Sequence, residues 1–408
     1  MATSDNIHPI RTRERFIILD ALRGFALLGI CLANFPEFSL YTFLKSDVVS
    51  SMPWAQADRS IRFFQYMLVD GKFYTMFSIL FGIGFSIILS HSEQKRANGL
   101  GIFYRRMCIL LIIGFLHLMF IWSGDILMLY ALLGMLLPIF RHRSNKELLL
   151  LSALFLLFPV AADALRTSSG INPSAPVIHM QQYFCAKYGI TQDNFAFWLR
   201  DAEHYPDVFK FLVQGAFVRI QKFIDGNRFF KVIGLFLLGF YIGKNRIYAN
   251  LAEHRLLLKR TCIYGFSIGL PFSALYAWSA VSEQPWGIVG HSLLYVLGVF
   301  PLGAAYMAVM CLFYLHRQEC PLFKILAAPG QMALTNYIGQ SLMGMIIFYG
   351  IGFGLGASMG LGCTLLIAIS VYLTEVLISR LWLRFFQFGP LEWIWRIFTY
   401  KKYFNLLK

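Results

Sequence analysis

The sequence predicts an all-α integral membrane protein, a bundle of about ten transmembrane helices forming a single polytopic membrane domain over residues 1–408. Three observations predict it. Of the 408 residues, 58% are hydrophobic and only 14% charged, with a mean hydropathy of +0.60, which is far too apolar for a soluble chain of this length. Roughly ten stretches reach the ~20 mostly apolar residues that a spanning helix needs. These runs are long and uninterrupted, whereas the strands of a membrane barrel are shorter and alternate.

Taken in order, the predicted spans are 16–35, 73–91, 107–122, 126–140, 147–163, 229–243, 261–280, 288–315, 332–352 and 361–383. With the N terminus in the cytoplasm, every loop on that side is basic. Loop 92–106 carries Lys95, Arg96, Arg105 and Arg106, and loop 141–146 carries Arg141, Arg143 and Lys146. Next come Lys244, Arg246, Arg255, Lys259 and Arg260, then Arg317 and Lys324, and a tail with Arg384, Arg396, Lys401, Lys402 and Lys408. The short outer loops "WSGD" and "VSEQPWG" hold no Lys or Arg. The positive-inside rule therefore predicts a multi-pass protein of the inner (plasma) membrane with both termini cytoplasmic.

The formal net charge of +15 reads as orientation rather than nucleic-acid binding, because the basic residues sit at span ends and not along one stripe. The expected partner is the lipid bilayer, and no nucleic acid. Arg11, Arg13 and Arg15 lead into a full-length span with no cleavage site after a short apolar core, so the first span is expected to be retained. Seven cysteines include no C-x-x-C pair, and Cys31, Cys108, Cys262, Cys311 and Cys363 lie in or beside apolar runs. Neither a disulfide framework nor a metal site is expected. Two outer segments are long: residues 36–72, and an extracytoplasmic insertion at about 164–228. The insertion opens with the loop-like "RTSSGINPSAP" and continues to "FVRIQKFI", whose amphipathic spacing suits a helix on the membrane surface.

An ionisable group inside a bilayer costs a few kcal/mol even on lenient scales, so each one must be paired, hydrated or turned into the bundle. In "LDALRGFALLGICLANF" Asp20 and Arg23 are three residues apart and share a helix face. They form either a packing pair or part of an anion site, since the Arg fork suits phosphate and carboxylate. Gly24 beside them allows another helix or a ligand to come close. In "GFLHLMFIWSGDILMLY" His117 lies near the outer end of one span and Asp125 in the turn to the next. Asp125 can orient the imidazole and raise its basicity, the arrangement of a general base; the plainer alternative is a satisfied structural histidine.

Asn34, Lys72 and His291 fall at a similar depth in this topology. The plainer reading, and the favoured one, is that Lys72 is an interfacial lysine that snorkels and His291 an interfacial residue. In "GQMALTNYIGQS" Asn336 and Gln340 share a face at i, i+4, suited to interhelical hydrogen bonds nearer the cytoplasm, with Ser341 beside them. Glu375 needs a partner, either Arg23 or a proton.

Five stretches together, "LDALRGFALLGICLANF", "GKFYTMFSILFGIGF", "GFLHLMFIWSGDILMLYALLG", "GQMALTNYIGQS" and "FGPLEWIWRIFTY", resemble in the same order the signature motifs of the YeiB family of bacterial inner-membrane proteins. The resemblance runs over nearly the whole chain except 164–228. That family is grouped with the transmembrane acyltransferases, which include the lysosomal heparan-alpha-glucosaminide N-acetyltransferase. The resemblance implies an acyl group taken from a cytoplasmic acyl-CoA, as co-substrate, and delivered to an acceptor on the far side. It implies a layout with Asp20 and Arg23 near the donor and His117 and Asp125 near the acceptor. Residues 36–72 contain no histidine, whereas the lysosomal relative carries its acyl-handling histidine after the first span, so that assignment does not transfer.

The function expected is a membrane-bound O- or N-acyltransferase with His117 as base and Asp125 as its orienter. Donor and acceptor contacts are expected from Asp20, Arg23, Asn34, Lys72, His291, Asn336 and Gln340. The alternative is a proton-coupled transporter or permease of a small molecule, disfavoured by the lack of an inverted repeat. A third reading is a structural membrane protein, which a deep polar cavity joining the His117 and Arg23 levels would count against. The acceptor, the acyl chain and self-association as a homo-oligomer are not written in these residues.

Overall fold

Lipid offers no hydrogen-bond partners to a peptide group, so each apolar stretch must satisfy its own backbone as a helix. A computed structural model describes residues 16–94 and 99–408, and apart from turns and one isolated β-bridge between Phe386 and Leu407 the described residues are helical. Arg11, Arg13, Arg15, Lys95 and Arg96 lie outside the described residues. In chain order the α-helices are α1 (Ile17–Phe38), α2 (Ser46–Ser51), α3 (Ala55–Leu68), α4 (Lys72–Gln94), α5 (Gly99–Phe120) and α6 (Leu127–Gly134). They continue as α7 (Asn145–Ser169), α8 (Ala175–Tyr188), α9 (Tyr205–Asp225), α10 (Arg228–Lys244), α11 (Arg255–Val281) and α12 (Gly287–His316). The last four are α13 (Pro321–Gln331), α14 (Ala333–Phe348), α15 (Leu361–Phe385) and α16 (Pro390–Tyr400).

The protein is an all-α membrane protein. Six described stretches are long and apolar enough to cross a bilayer: α1, Ala55–His91 running through α3 and α4, α5, α7, α12 and α15; Leu127–Phe140 is a shorter apolar one. Several expected boundaries move. Arg105 and Arg106 belong to α5, which starts at Gly99 instead of 107, and Arg255, Lys259 and Arg260 belong to α11. Lys324 is on α13, not in a loop. Basic side chains mark loops poorly because their long apolar stems extend a helix readily.

The span expected at 126–140 is α6 followed by a 3-10 turn at Leu137–Phe140, where Pro138 ends regular hydrogen bonding. The span expected at 332–352 is the second half of a broken helix, α13 then α14. The insertion is not loop-like at its start: α7 runs to Ser169, stops at Gly170 with φ of 66°, and α8 and α9 follow.

Glycine decides the closest crossings. A Cβ at Gly24 would overlap the carbonyl oxygen of Leu326, and one at Gly330 would overlap that of Asp20, so α1 and α13 meet backbone to backbone. Gly82 and Gly239 meet the facing carbonyls of Phe236 and Ile79 in the same reciprocal way, locking α4 to α10. The use expected of Gly24, a helix brought close, is the one seen.

Candidate functional site

A cavity of about 570 Å³ opens within the bundle, and α1 runs along it. Its lining includes Asp20 and Arg23 at one end of α1 and Asn34 and Glu37 at the other. Arg23 and Glu37 are separated by 14 residues, or about 21 Å at the helical rise. Between these ends the wall is apolar and aromatic, with Tyr74, Phe77, Phe81 and Phe85 from α4 and Leu110 from α5. A pocket that is mostly apolar with a few charged groups at defined points is the usual form of a ligand site.

At the α1 N-terminal end, Arg23 donates to Asp20 at 2.7 Å, so the expected pair exists. Arg106 lies 3.6 Å over the ring of Trp395, whose indole N–H donates to the Arg106 carbonyl at 2.9 Å. The same α16 segment places Arg396 and Tyr400 on the cavity wall. Its Glu392 accepts from the backbone N–H groups of Leu334 and Thr335 at 2.7 and 3.0 Å and from the Thr335 hydroxyl at 2.6 Å. An acidic side chain from α16 thus caps the N–H groups left unpaired at the buried start of α14, which is what the break after Gln331 requires. The "GPLEWIWR" motif closes this end of the cavity.

At the other end, Asn34, Glu37, Asp70, Arg219, Lys222 and Arg228 line the wall. Lys222 pairs with Glu37 at 3.3 Å. Arg219, on α9, donates through Nε to the Asp125 carbonyl at 2.6 Å and through Nη2 to that of Gly124. The aromatic face of Tyr74 lies 4.9 Å from the Arg228 guanidinium. Burial holds the Arg219 guanidinium below its ordinary value; Glu37 is the largest opposing charge, and Arg228 adds to the lowering.

His117 and Asp125 come together as expected, with Nδ1 of the imidazole 2.9 Å from Oδ1 of the carboxylate and both side chains fully buried. The second carboxylate oxygen accepts from the Met128 N–H at 2.8 Å, at the start of α6. The sequence did not point to the third member. Ser341 Oγ lies 2.9 Å from His117 Nε2, which puts Ser341 at the His117 level and not nearer the opposite face with Asn336. With the Nδ1 proton directed at Asp125, Nε2 is an acceptor for the serine hydroxyl, whose other acceptor is the Tyr337 carbonyl at 3.4 Å. This is the connectivity of a Ser–His–Asp triad. None of the three side chains lines the cavity, but Gly124 and Ile126 on either side of Asp125 do. So does Tyr337, whose ring centroid is 5.3 Å from that of His117.

The remaining expected site residues divide. Asn336 donates to Ser379 Oγ at 2.9 Å and to the Pro329 carbonyl, and Gln340 donates to Glu375 at 2.9 Å, so both make interhelical bonds with α15 or within the α13–α14 break. Glu375 therefore meets Gln340, not Arg23. Lys72 does not snorkel: it is fully buried, and its ammonium donates to the Tyr66 carbonyl at 2.7 Å. His291 hydrogen-bonds Ser279 at 3.0 Å and stacks near Tyr276, in a separate polar cluster away from His117. Neither Lys72 nor His291 lines the cavity. Among the described residues no three His, Cys, Asp or Glu side chains gather as metal ligands.

Over 407 residues the chain is 30% identical to YxaH of Bacillus subtilis (strain 168), covering 97% of this chain and 96% of that one. The chain belongs to the YeiB-like family. YeiB of Escherichia coli (strain K12) is 27% identical, with 95% and 96% of the two chains covered. A 39.9 kDa protein encoded in the amylase 3' region of Bacillus acidopullulyticus is 29% identical, with 98% of each chain covered. Residues 242–402 match the family described as protein of unknown function (DUF418). No solved structure matches the chain. The similarity to YxaH and YeiB covers the cavity residues as well as the matched C-terminal segment, since it extends over almost the full length.

Proposed function

We propose that the protein is a membrane-bound acyltransferase that takes an acyl group from a cytoplasmic acyl-CoA and delivers it to an acceptor at the extracytoplasmic side. The observation that carries this reading is that one and the same cavity is lined by Arg23 and Arg106 at one end and by Asn34 and Arg219 at the other. In this reading the chain is one polytopic domain of ten spans in the inner membrane, α13 and α14 together forming the ninth, with both termini cytoplasmic. Arg23, Arg106 and Arg396 then face the cytoplasm, where guanidinium forks suit the phosphates of CoA. The aromatic wall takes the acyl-bearing arm.

His117 is the general base and Asp125 holds its tautomer. The hydroxyl now within reach of Nε2 is that of Ser341, which occupies the place an acceptor hydroxyl or amine takes once the Tyr337 ring swings aside. Nε2 takes the acceptor proton, the acceptor oxygen or nitrogen bonds to the thioester carbonyl carbon, and the C–S bond breaks, the departing CoA sulfur taking the proton from Nε2 and leaving as the thiol. Purified protein in mild detergent should bind and turn over acyl-CoA, and His117→Ala should lose about 100-fold or more in turnover, the usual contribution of a general base. Unchanged turnover in His117→Ala removes that residue from the chemistry. Substrate uptake by proteoliposomes lacking any acyl donor would replace the enzyme with a permease using the same cavity.

A further inference from the structure

We propose that the α9–α10 end of the cavity binds a phosphate group carried by the acceptor, as a phosphomonoester or phosphodiester. That the phosphate belongs to an acceptor rests on the acyltransferase reading; that phosphate binds there does not. Three cations, Arg219, Lys222 and Arg228, line this end. Only Lys222 has a carboxylate within ion-pair distance, Glu37; among the described residues neither Arg219 nor Arg228 has one. Asp70, the other acid in this part of the wall, is engaged by the Tyr276 hydroxyl at 2.7 Å.

A guanidinium carries five N–H donors, and Arg219 directs Nε and Nη2 at backbone carbonyls, which leaves the rest of the fork available. Arg228 lies beside Tyr74, whose buried hydroxyl is near the Arg228 guanidinium and Ser78 but makes no hydrogen bond of normal geometry with either. Neither guanidinium has a carboxylate in ion-pair contact, and the acids that act on them from the same wall, Glu37 and Asp70, are already engaged by Lys222 and Tyr276, so an anion placed between the two forks would complete them. Phosphate supplies several acceptor oxygens and up to two charges, and it matches the fork bidentately. The aromatic surface immediately inward, Tyr74, Phe77 and Phe81, suits the apolar part of an amphiphile whose head is that phosphate.

The test uses full-length protein in mild detergent with three probes: dihexanoyl phosphatidic acid, glycerol 3-phosphate and neutral dihexanoylglycerol. The phosphate-bearing probes should bind and the neutral one should not. Tight binding of the phosphatidic acid alone identifies a lipid source, and equal binding of glycerol 3-phosphate identifies a soluble ester. Arg228→Gln should weaken binding at least about tenfold, the worth of one charge-assisted hydrogen bond, and Tyr74→Phe a few-fold. Arg219→Gln should act similarly. Because Arg219 also clamps the Gly124–Asp125 turn, Arg228→Gln and Tyr74→Phe carry the test should that variant fail to fold. Equal affinity for the neutral probe, or undiminished binding in Arg228→Gln, overturns the proposal. Acyl-CoA binding is measured on the same wild-type sample: phosphate bound without acyl-CoA leaves this site standing and sinks the acyltransferase, whereas acyl-CoA bound without phosphate does the reverse.

Discussion

The turn Ser123–Ile126 faces two unlike environments through a single residue. The Asp125 carboxylate points to His117 in a network where the imidazole has both ring nitrogens partnered and almost no exposed surface. The Asp125 backbone carbonyl points the other way, to Arg219 on the cavity wall, where guanidinium donors are left over and no carboxylate is in ion-pair contact with them. The first region has triad connectivity without access, and the second has access and unbalanced charge. The proposed reaction requires the two to be joined, and Tyr337, which lies beside His117 and lines the cavity, stands between them.

The contrast predicts different penalties. Asp125→Ala should have the largest effect on stability, about 3 kcal/mol or loss of folded protein, because it strands a buried imidazole and strips the start of α6. Thermal unfolding in detergent measures this; a loss no greater than that of Arg228→Gln would erase the distinction between the closed and open regions. Ser341→Ala should cost about 1 kcal/mol, one buried hydrogen bond, and retain acyl transfer. If turnover instead vanishes while the unfolding temperature holds, the serine itself accepts the acyl group, and the closed network is the reactive centre.

A third change tests the open region alone. Gly84 lines the cavity and a Cβ there meets nothing within 4 Å, so the side chain of Gly84→Leu starts into open space and should narrow the cavity. Stability should shift by no more than about 1 kcal/mol, helped by replacing glycine within a helix, while acyl-CoA affinity falls at least tenfold. Retained affinity would mean that the donor does not occupy the cavity.

The smallest effect belongs to a pair remote from both regions, Lys45 and Asp193, bonded at 2.9 Å and largely exposed. The lysine holds the Asp193 carboxyl below its ordinary value. Any stability it adds is present above the unfolded carboxylate pKa and lost as pH falls through the lower folded value. Asp193→Asn should leave the unfolding temperature unchanged at neutral pH.

Much of the local pairing was legible beforehand. Asp20 with Arg23 follows from a three-residue spacing on one helix, and His117 with Asp125 from a tight turn joining two helices; both are short-range constraints that any helical arrangement obeys. The Asn336 and Gln340 face was readable for the same reason, although its partners Ser379 and Glu375 were not. Lys72 was misread because an interfacial lysine and a buried one look alike until a carbonyl such as that of Tyr66 is placed beside the ammonium.

Apolar content and basic end-groups by themselves determined that this chain is helical and membrane-embedded, because lipid leaves an isolated segment no other way to satisfy its backbone. They also determined which neighbours within a few residues would meet. Only the tertiary structure decided that Ser341 meets His117 across a sequence separation of 224, that Glu392 caps α14, and that Arg219 and Arg228 converge on one wall. Those contacts depend on which glycines let two backbones touch, as at Gly24 and Gly330 or Gly82 and Gly239. A close crossing is a property of two surfaces at once, and neither surface is written in the segment that carries the other.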